Sequence, residues 1–119
     1  MSDSHFHPLT STADWTDALE QSEETPVLVF KHSSACPVSS QANSEMAELA
    51  EEANVPVYKV VVQQNRSVSD DIEAALDVRH ETPQAILLHE QTPVFDTSHF
   101  NVTEESLRKE LRQVNSSSN

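Results

Sequence analysis

The stretch "VLVFKHSSACPVSSQA", residues 27 to 42, decides the fold because it joins a buried strand to a helix through a short polar loop. Residues 27–31 follow Pro26 as an apolar run that ends in a lysine, which is typical of a strand buried on both faces. Pro37 stands where a first helical residue is expected, since its fixed φ suits that position and its missing N–H is not needed there. The predicted helix runs from Pro37 to about residue 53, and its apolar face consists of Val38, Ala42, Met46, Leu49 and Ala53.

Strand and helix patterns alternate on both sides of this stretch. We predict further strands over 57–62, 82–88 and 93–95, and helices over 11–21, 67–78 and from Thr103 onward. The first helix has Trp15, Ala18 and Leu19 on its apolar face, and the helix over 67–78 has Val68, Ile72, Ala75 and Leu76. Capping boxes are expected at Ser11/Asp14 and Ser67/Asp70, and a hydrophobic staple at Val102/Leu107.

The link "HEQT" between the last two predicted strands has no glycine, and neither has the rest of the chain. A tight two-residue hairpin turn favours Asn-Gly or Gly-Gly because both central residues have positive φ. We therefore expect four or five residues to make this turn, since no glycine is present to give positive φ easily.

The element order αβαβαββα predicts an α/β fold whose sheet begins parallel and ends antiparallel, with helices on both faces. This arrangement fits a thioredoxin-like fold that lacks a clear first strand. The length of 119 residues suits one domain. We expect a flexible N-terminus over 1–8, a thioredoxin-like domain over 9–114 and a disordered tail over 115–119.

The chain is strongly acidic, with twenty Asp and Glu against seven Lys and Arg and a formal net charge of −13. This balance argues against nucleic acid and anionic membrane as partners. The sequence has neither a signal-peptide pattern nor an apolar run long enough to span a membrane, so a cytoplasmic location is expected. Adaptation to a saline cytoplasm, where salt screens self-repulsion, is a further hypothesis.

Cys36 is the chain's one cysteine, so no disulfide can form within the chain. Because Pro37 opens the helix, Cys36 is its predicted N-cap, where unpaired N–H groups and the helix dipole favour a thiolate. The hydroxyls of Ser33, Ser34 and Ser39 are expected to act in the same direction. An ordinary thiol of pKa about 8.5 is only about 3% ionised at pH 7, whereas a thiol whose pKa is about two units lower is about three quarters ionised. The alternative is a buried cysteine that serves only as a small apolar residue.

Thr82 and Pro83 begin the third predicted strand. In a thioredoxin-like topology this loop lies beside the helix N-terminus that carries the thiol. Few X–Pro bonds are cis, about 5–6%, but this position favours a cis bond.

Four ordered blocks carry a resemblance to a known family. They are "FKHSSACPVSSQA" (30–42), "YKVVVQQNRSVSDDI" (58–72), "VRHETPQAIL" (78–87) and "SHFNVT" (98–103). Together they resemble the YtxJ-like monothiol bacilliredoxins, from about residue 15 to residue 111. The resemblance implies a thioredoxin-like fold and removal of bacillithiol from protein mixed disulfides. It also implies bacillithiol as co-substrate and no tightly bound cofactor.

Site residues follow from the resemblance. It implies Cys36 as the attacking thiol, with Pro37 and Ser39 completing a CPxS pattern in which serine replaces a resolving cysteine. Thr82 and Pro83 correspond to the substrate-facing cis-proline loop. The predicted substrate-binding residues are Ser34, Ala35, Pro37, Ser39, Thr82 and Pro83. Ala35 departs from the family, which commonly has threonine before the cysteine.

Other residues of the same blocks have open roles. Lys31 either raises the local positive potential or is a solvated strand end. His32 and Cys36 are too few for a zinc site, so no metal is expected. His80 and His99 either line the site or are half-buried loop residues.

Three functions remain open at this point. The first is a monothiol exchange enzyme acting on bacillithiolated clients or, as a variant, on glutathione mixed disulfides. The second is a non-enzymatic interaction module with a passive cysteine. The third is a redox sensor in which oxidised Cys36 recruits a partner.

Overall fold

The computed structural model describes residues 6–35, 37–52 and 55–117. Its strands are β1 (Phe6–Pro8), β2 (Val27–His32), β3 (Val57–Val61), β4 (Gln84–His89) and β5 (Thr92–Ser98). Its α-helices are α1 (Thr12–Gln21), α2 (Pro37–Glu52), α3 (Arg66–Leu76) and α4 (Glu104–Ser117). A short 3₁₀ turn, His99–Asn101, precedes α4. Among the described residues, no helix is long and apolar enough to cross a membrane.

The five strands form one sheet in the order β1-β3-β2-β4-β5. Strands β1, β3 and β2 are parallel, whereas β4 pairs antiparallel with β2 and β5 pairs antiparallel with β4. The predicted mixed sheet is therefore confirmed. In the central strand β2 the apolar residues 27–30 are completely buried, because helices cover both faces of the sheet.

Two apolar clusters lie on opposite faces of this sheet. Alternate residues of a strand point to opposite faces, which divides β2 between the two clusters. The face under α2 and α4 includes Leu28, Phe30, Met46, Leu87 and Leu107. The face under α1 and α3 includes Trp15, Val27, Val29, Ile72 and Ile86.

Strand β1 was missing from the sequence prediction. Phe6 is buried and the strand pairs with Val57–Lys59, although its other two residues are exposed. Three residues with one buried side chain are too short for a recognisable strand pattern. Phe6–Pro8, within the segment 1–8 expected to be flexible, thus form a strand of the sheet, and residues 1–5 lie outside the described part. At the other end, α4 continues to Ser117, into the segment expected to be a disordered tail.

The first helix begins as predicted, but only half of its capping box forms. Ser11 Oγ accepts a hydrogen bond from the backbone N–H of Asp14, at 3.2 Å. The Asp14 carboxylate turns instead to Thr10, accepting from its N–H and its hydroxyl, each at 2.9 Å. These bonds from Thr10 lower the pKa of Asp14.

Helix α3 begins one residue earlier than predicted, and its expected capping box is wrong. Its N-cap is Asn65, which makes no side-chain capping bond. The Asn65 amide donates instead to the Thr10 carbonyl, at 3.2 Å, and so joins the start of α3 to the segment before α1. Ser69 is buried on the core face, whereas Ala75, predicted to lie there, is exposed.

The β4–β5 turn consists of two residues, not the four or five predicted, and both have positive φ although neither is glycine. Glu90 and Gln91 have φ of 55° and 62°, and His89 pairs with Thr92 across them. Residue Ser22 stabilises the turn from the end of α1. Its carbonyl accepts from Glu90 N–H at 2.7 Å and its hydroxyl from Gln91 N–H at 3.0 Å. These contacts with the buried Ser22 hold non-glycine residues in a left-handed conformation that costs about 1–2 kcal/mol each.

Candidate active site

Three chain segments meet at one edge of the sheet. Strands β2 and β3 end there and β4 begins there. Two contacts show this arrangement: Lys31 pairs with Gln84, and the Val62 N–H donates to the His32 carbonyl at 2.9 Å. The loop 33–35 leaves this edge and α2 begins at Pro37. Cys36, the predicted attacking thiol, lies outside the described residues, so its role stays a prediction.

The loop before Cys36 is held by two polar side chains. Gln63, two residues after β3, accepts from Ser34 N–H at 3.1 Å and donates to Ser33 Oγ at 2.7 Å. From the other side, the Ser39 hydroxyl accepts from Ser33 N–H at 3.3 Å. Sequence reasoning did not single out Gln63, although it stands in one of the four blocks that carry the family resemblance.

The other predicted site residues differ in exposure. Ser34, Ala35 and Pro37 are exposed, on the loop and at the first position of α2. Ser39 is 0% exposed, so its hydroxyl lies beneath the loop that it supports. The sequence pattern CPxS therefore combines an exposed proline with a buried hydroxyl.

The Thr82–Pro83 peptide bond is cis, as the topology predicted. Thr82 is half-buried and Pro83 is buried at the start of β4. The carbonyl of Pro83 accepts a hydrogen bond from the His99 N–H at 2.9 Å. This bond joins the cis-proline loop to the 3₁₀ turn before α4.

Lys31 is buried beneath the same edge. It is 0% exposed, which shows that the interpretation as a solvated strand end is wrong. It follows Val27 and Val29 on the face that α3 covers, so its chain passes into the core. Its Nζ lies 3.1 Å from Nδ1 of His80 and 3.4 Å from the carbonyl oxygen of Ser69. Burial lowers the pKa of Lys31, and the charges of Glu73 and Asp70 partly oppose this effect.

His80 connects Lys31 to the loop that carries the cis-proline. Its Nδ1 also lies 3.3 Å from Ser69 Oγ, and its backbone N–H donates to Glu73 Oε2 at 2.9 Å. Burial and the neighbouring Lys31 charge lower the pKa of His80. When the Lys31 ammonium donates to Nδ1, this nitrogen is the acceptor and the neutral ring carries its proton on Nε2. The loop before Pro83 is thus attached to both β2 and α3.

His99 lies on the exposed side of the cis-proline loop. Its φ is 58°, and its Nε2 lies 3.0 Å from Glu81 Oε1. Arg79 approaches the other carboxylate oxygen of Glu81 at 3.7 Å. The structure therefore brings both histidines to the site, His80 below the loop and His99 beside it.

One cluster of carboxylates lies outside this edge. Oxygens of Glu48, Glu52 and Glu104 lie within 4.8 Å of one another. Arg108 donates to Glu104 at 2.7 Å and to Glu52 at 3.0 Å, so a guanidinium already neutralises part of the cluster. The neighbouring Glu52 raises the pKa of Glu48 through a hydrogen bond and through its charge.

Comparison with solved structures shows that the chain has the thioredoxin fold. It is similar to a protein described as an oxidoreductase with a thioredoxin fold, with 29% identity and a TM-score of 0.83 over 91% of this chain and 95% of the other. A Fasciola hepatica thioredoxin is 18% identical, with a TM-score of 0.73 over 91% and 98% of the two chains. A Halobacterium salinarum thioredoxin variant is 15% identical, with a TM-score of 0.72 over 90% and 88%. The last two likenesses concern the fold alone.

The family model described as monothiol bacilliredoxin BrxC matches residues 7–107. The chain therefore belongs to the monothiol bacilliredoxin family, and the resemblance seen in the sequence is confirmed. Fold and family together define a thiol–disulfide redox protein.

Proposed function

We propose that the protein removes bacillithiol from protein mixed disulfides through Cys36. The observation that carries this proposal is the lone cysteine of a bacilliredoxin-family chain, placed in sequence directly before α2, with a buried serine three residues later. The redox partners are bacillithiolated client proteins and a low-molecular-weight thiol. The reaction needs free thiols, which a reducing cytoplasm supplies.

In the first step the Cys36 thiolate attacks the bacillithiol sulfur of a modified client. The client–bacillithiol S–S bond breaks and the client sulfur leaves as a thiolate, while a new S–S bond joins bacillithiol to Cys36. One disulfide is consumed and one is formed, so the step needs no outside oxidant or reductant. The N-terminal N–H groups of α2 favour the anionic sulfur.

In the second step an outside thiolate, such as another bacillithiol, attacks the bacillithiol sulfur bound to Cys36. A bacillithiol disulfide leaves and the Cys36 thiolate is restored. The Ser39 hydroxyl cannot replace the outside thiol, because an alcohol does not take part in thiol–disulfide exchange. The backbone of Thr82 is the proposed guide that aligns the three sulfurs, by pairing with the substrate as a neighbouring strand would.

The test compares wild type with Cys36→Ser on a bacillithiolated model protein, with released bacillithiol measured by mass spectrometry. We expect multiple turnovers for wild type with free bacillithiol present and none for the variant. Ser40→Ala, an exposed serine of the same helix, is the control and should retain full activity. Full activity of Cys36→Ser would contradict the mechanism. Absence of turnover by wild type, with rapid oxidation of Cys36 by peroxide, would favour a redox sensor.

The choice of small thiol is tested with the same client carrying glutathione instead. We expect faster release of bacillithiol than of glutathione, each assayed with its own free thiol. Equal rates for both adducts would point to a general monothiol redoxin rather than a bacillithiol-specific protein.

A further inference from the structure

Lys31 is a charged side chain at a position that the neighbouring strand residues make apolar. It follows Val27 and Val29 on the face of β2 that α1 and α3 cover, and it is 0% exposed. A lysine is seldom fully buried, because its ammonium group loses the hydration that it has in water. A buried ammonium at this position therefore requires specific partners.

The partners of the ammonium adjoin the cis-proline loop, which runs from α3 to β4. Lys31 Nζ lies 3.4 Å from the carbonyl oxygen of Ser69 in α3 and 3.1 Å from Nδ1 of His80 in the loop. The backbone N–H of His80 donates to Glu73 Oε2, also from α3, at 2.9 Å. Lys31 thus joins β2, α3 and the cis-proline loop in one buried network.

A second buried residue holds the same loop from β4. Gln84 pairs with Lys31 across the two strands, so the two side chains lie on the same face of the sheet. Gln84 is 1% exposed, and its Nε2 donates to the carbonyl of Arg79 at 2.8 Å. The loop is therefore held from beneath at two consecutive residues, at the Arg79 backbone by Gln84 and at the His80 ring by Lys31.

The held segment lies directly before the backbone that the proposed mechanism uses. Thr82 follows His80 by two residues, and two residues of chain span at most about 7 Å, so the place of His80 limits the place of Thr82. A misplacement of about 1 Å can lower the rate of an enzyme about a hundredfold. Attack of Cys36 on a small reagent, by contrast, does not need the Thr82 backbone.

The ammonium lies on the side of the sheet opposite to α2. Helix α2, which begins directly after Cys36, packs on the other apolar cluster, whereas Lys31 contacts α3. The charges of Glu73 and Asp70 act on Lys31 from α3 and oppose its own charge. This arrangement favours an effect of Lys31 on the cis-proline loop over an effect on the ionisation of the thiol.

We propose, on the basis of the proposed function, that Lys31 is a positioning residue for the exchange reaction. Its ammonium holds the His80 ring, and the ring holds the Thr82 backbone where the mixed disulfide is aligned with Cys36. Lys31 acts through the loop and is not a catalytic residue. Apolar residues of similar volume often replace buried charges with no loss of stability, so stability alone does not explain a lysine here.

The first test compares wild type with Lys31→Met, in which an apolar chain of similar length replaces the charge. We expect kcat/KM on a bacillithiolated model protein to fall about tenfold, mainly through kcat. The alkylation rate of Cys36 by iodoacetamide should change less than about twofold across the pH range in which thiols titrate. Tm should stay within about 4 °C, because Glu73 and Asp70 are not fully buried and remain hydrated without the ammonium. Lys109→Met, at an exposed lysine of α4, is the matched control and should change none of these quantities.

Variants of His80 test the route through the ring. His80→Leu removes the acceptor and should lower kcat/KM about tenfold, and the double variant with Lys31→Met should be no slower than either single variant. His80→Asn offers Oδ1 in place of Nδ1 and should retain at least about half of the wild-type activity. Amide hydrogen exchange over residues 78–83, followed by mass spectrometry, should be faster in Lys31→Met and His80→Leu than in wild type.

Several results would overturn the positioning role. Wild-type exchange rates in Lys31→Met would contradict it and leave the proposed function intact. A shifted pH profile of alkylation would assign Lys31 to the ionisation of Cys36, and additive losses in the double variant would exclude a shared route. If Lys31→Met does not fold, equal activities of His80→Leu and His80→Asn would reject the positioning role. Absence of turnover by wild type would reject the proposed function and the positioning role together.

Discussion

Replacing Ser39 by cysteine should convert the protein from one-thiol to two-thiol chemistry. Ser39 is 0% exposed in the first turn of α2, three residues after Cys36, and accepts a hydrogen bond from Ser33 N–H at 3.3 Å. A thiol of similar volume fits this position but is a weak acceptor. Loss of an acceptor for a buried N–H costs about 1–3 kcal/mol, and the long bond to a half-buried residue indicates about 1 kcal/mol. The Ser39→Cys variant should therefore fold.

The second thiol changes how the bacillithiol adduct on Cys36 is resolved. In wild type an outside thiol at about millimolar concentration must attack, whereas a thiol in the same helical turn attacks within the molecule. Well-oriented intramolecular reactions reach effective concentrations far above molar, and even loosely tethered groups are at about millimolar. Internal resolution should therefore compete with or exceed resolution by free bacillithiol.

The assay counts free bacillithiol consumed for each client molecule restored. Wild type and Ser39→Ala should each consume one equivalent of free bacillithiol per client molecule. Ser39→Ala should differ from wild type only in a free energy of unfolding that is lower by about 1 kcal/mol. Ser39→Cys should consume none in a single turnover and should end as an internally oxidised protein that releases bacillithiol. If Ser39→Cys accumulates the bacillithiol adduct to the same level as wild type, the argument that Ser39 occupies a resolving position is refuted.

Three further predictions concern stability. Glu90→Asn combined with Gln91→Gly should stabilise the β4–β5 turn by about 1 kcal/mol and raise Tm by about 4 °C, since both positions have positive φ; an unchanged Tm would contradict this. Because folding lowers the pKa of His80, the unfolded state binds more protons than the folded state at pH values between that pKa and about 6.5. The free energy of unfolding should therefore rise with pH across this window. Urea unfolding of wild type and His80→Gln should then show a smaller pH dependence for the variant, and equal slopes would reject the assignment. Finally, the net charge of −13 predicts that the unfolding midpoint rises from low salt to about 1 M KCl, where the screening length is about 3 Å; a flat response would count against adaptation to salt.

Local signals in the sequence were sufficient for the central elements. Pro37 marks the start of α2, and the apolar run before it forms β2 with both faces covered. The cis bond before Pro83 followed from the topology rather than from the residue itself. These features depend on short stretches or on the order of elements, so a single sequence is enough to indicate them.

Contacts between distant segments explain what sequence reasoning missed. The two-residue turn at Glu90 and Gln91 depends on Ser22, which is far away in the chain. Gln63 holds the loop of Cys36 only because β3 lies beside β2. One of the two interpretations placed Lys31 in solvent at a strand end, whereas the alternation along β2 places it on the face covered by α3.

The most direct test of the exchange mechanism is a single turnover followed by intact mass spectrometry. Equal amounts of the protein and a bacillithiolated client are mixed without free bacillithiol and quenched with acid. Transfer of one bacillithiol to the protein, with an unmodified client, is the predicted result, and the single cysteine assigns the adduct to Cys36. A client that keeps its bacillithiol, or a disulfide between the two proteins, would contradict the mechanism.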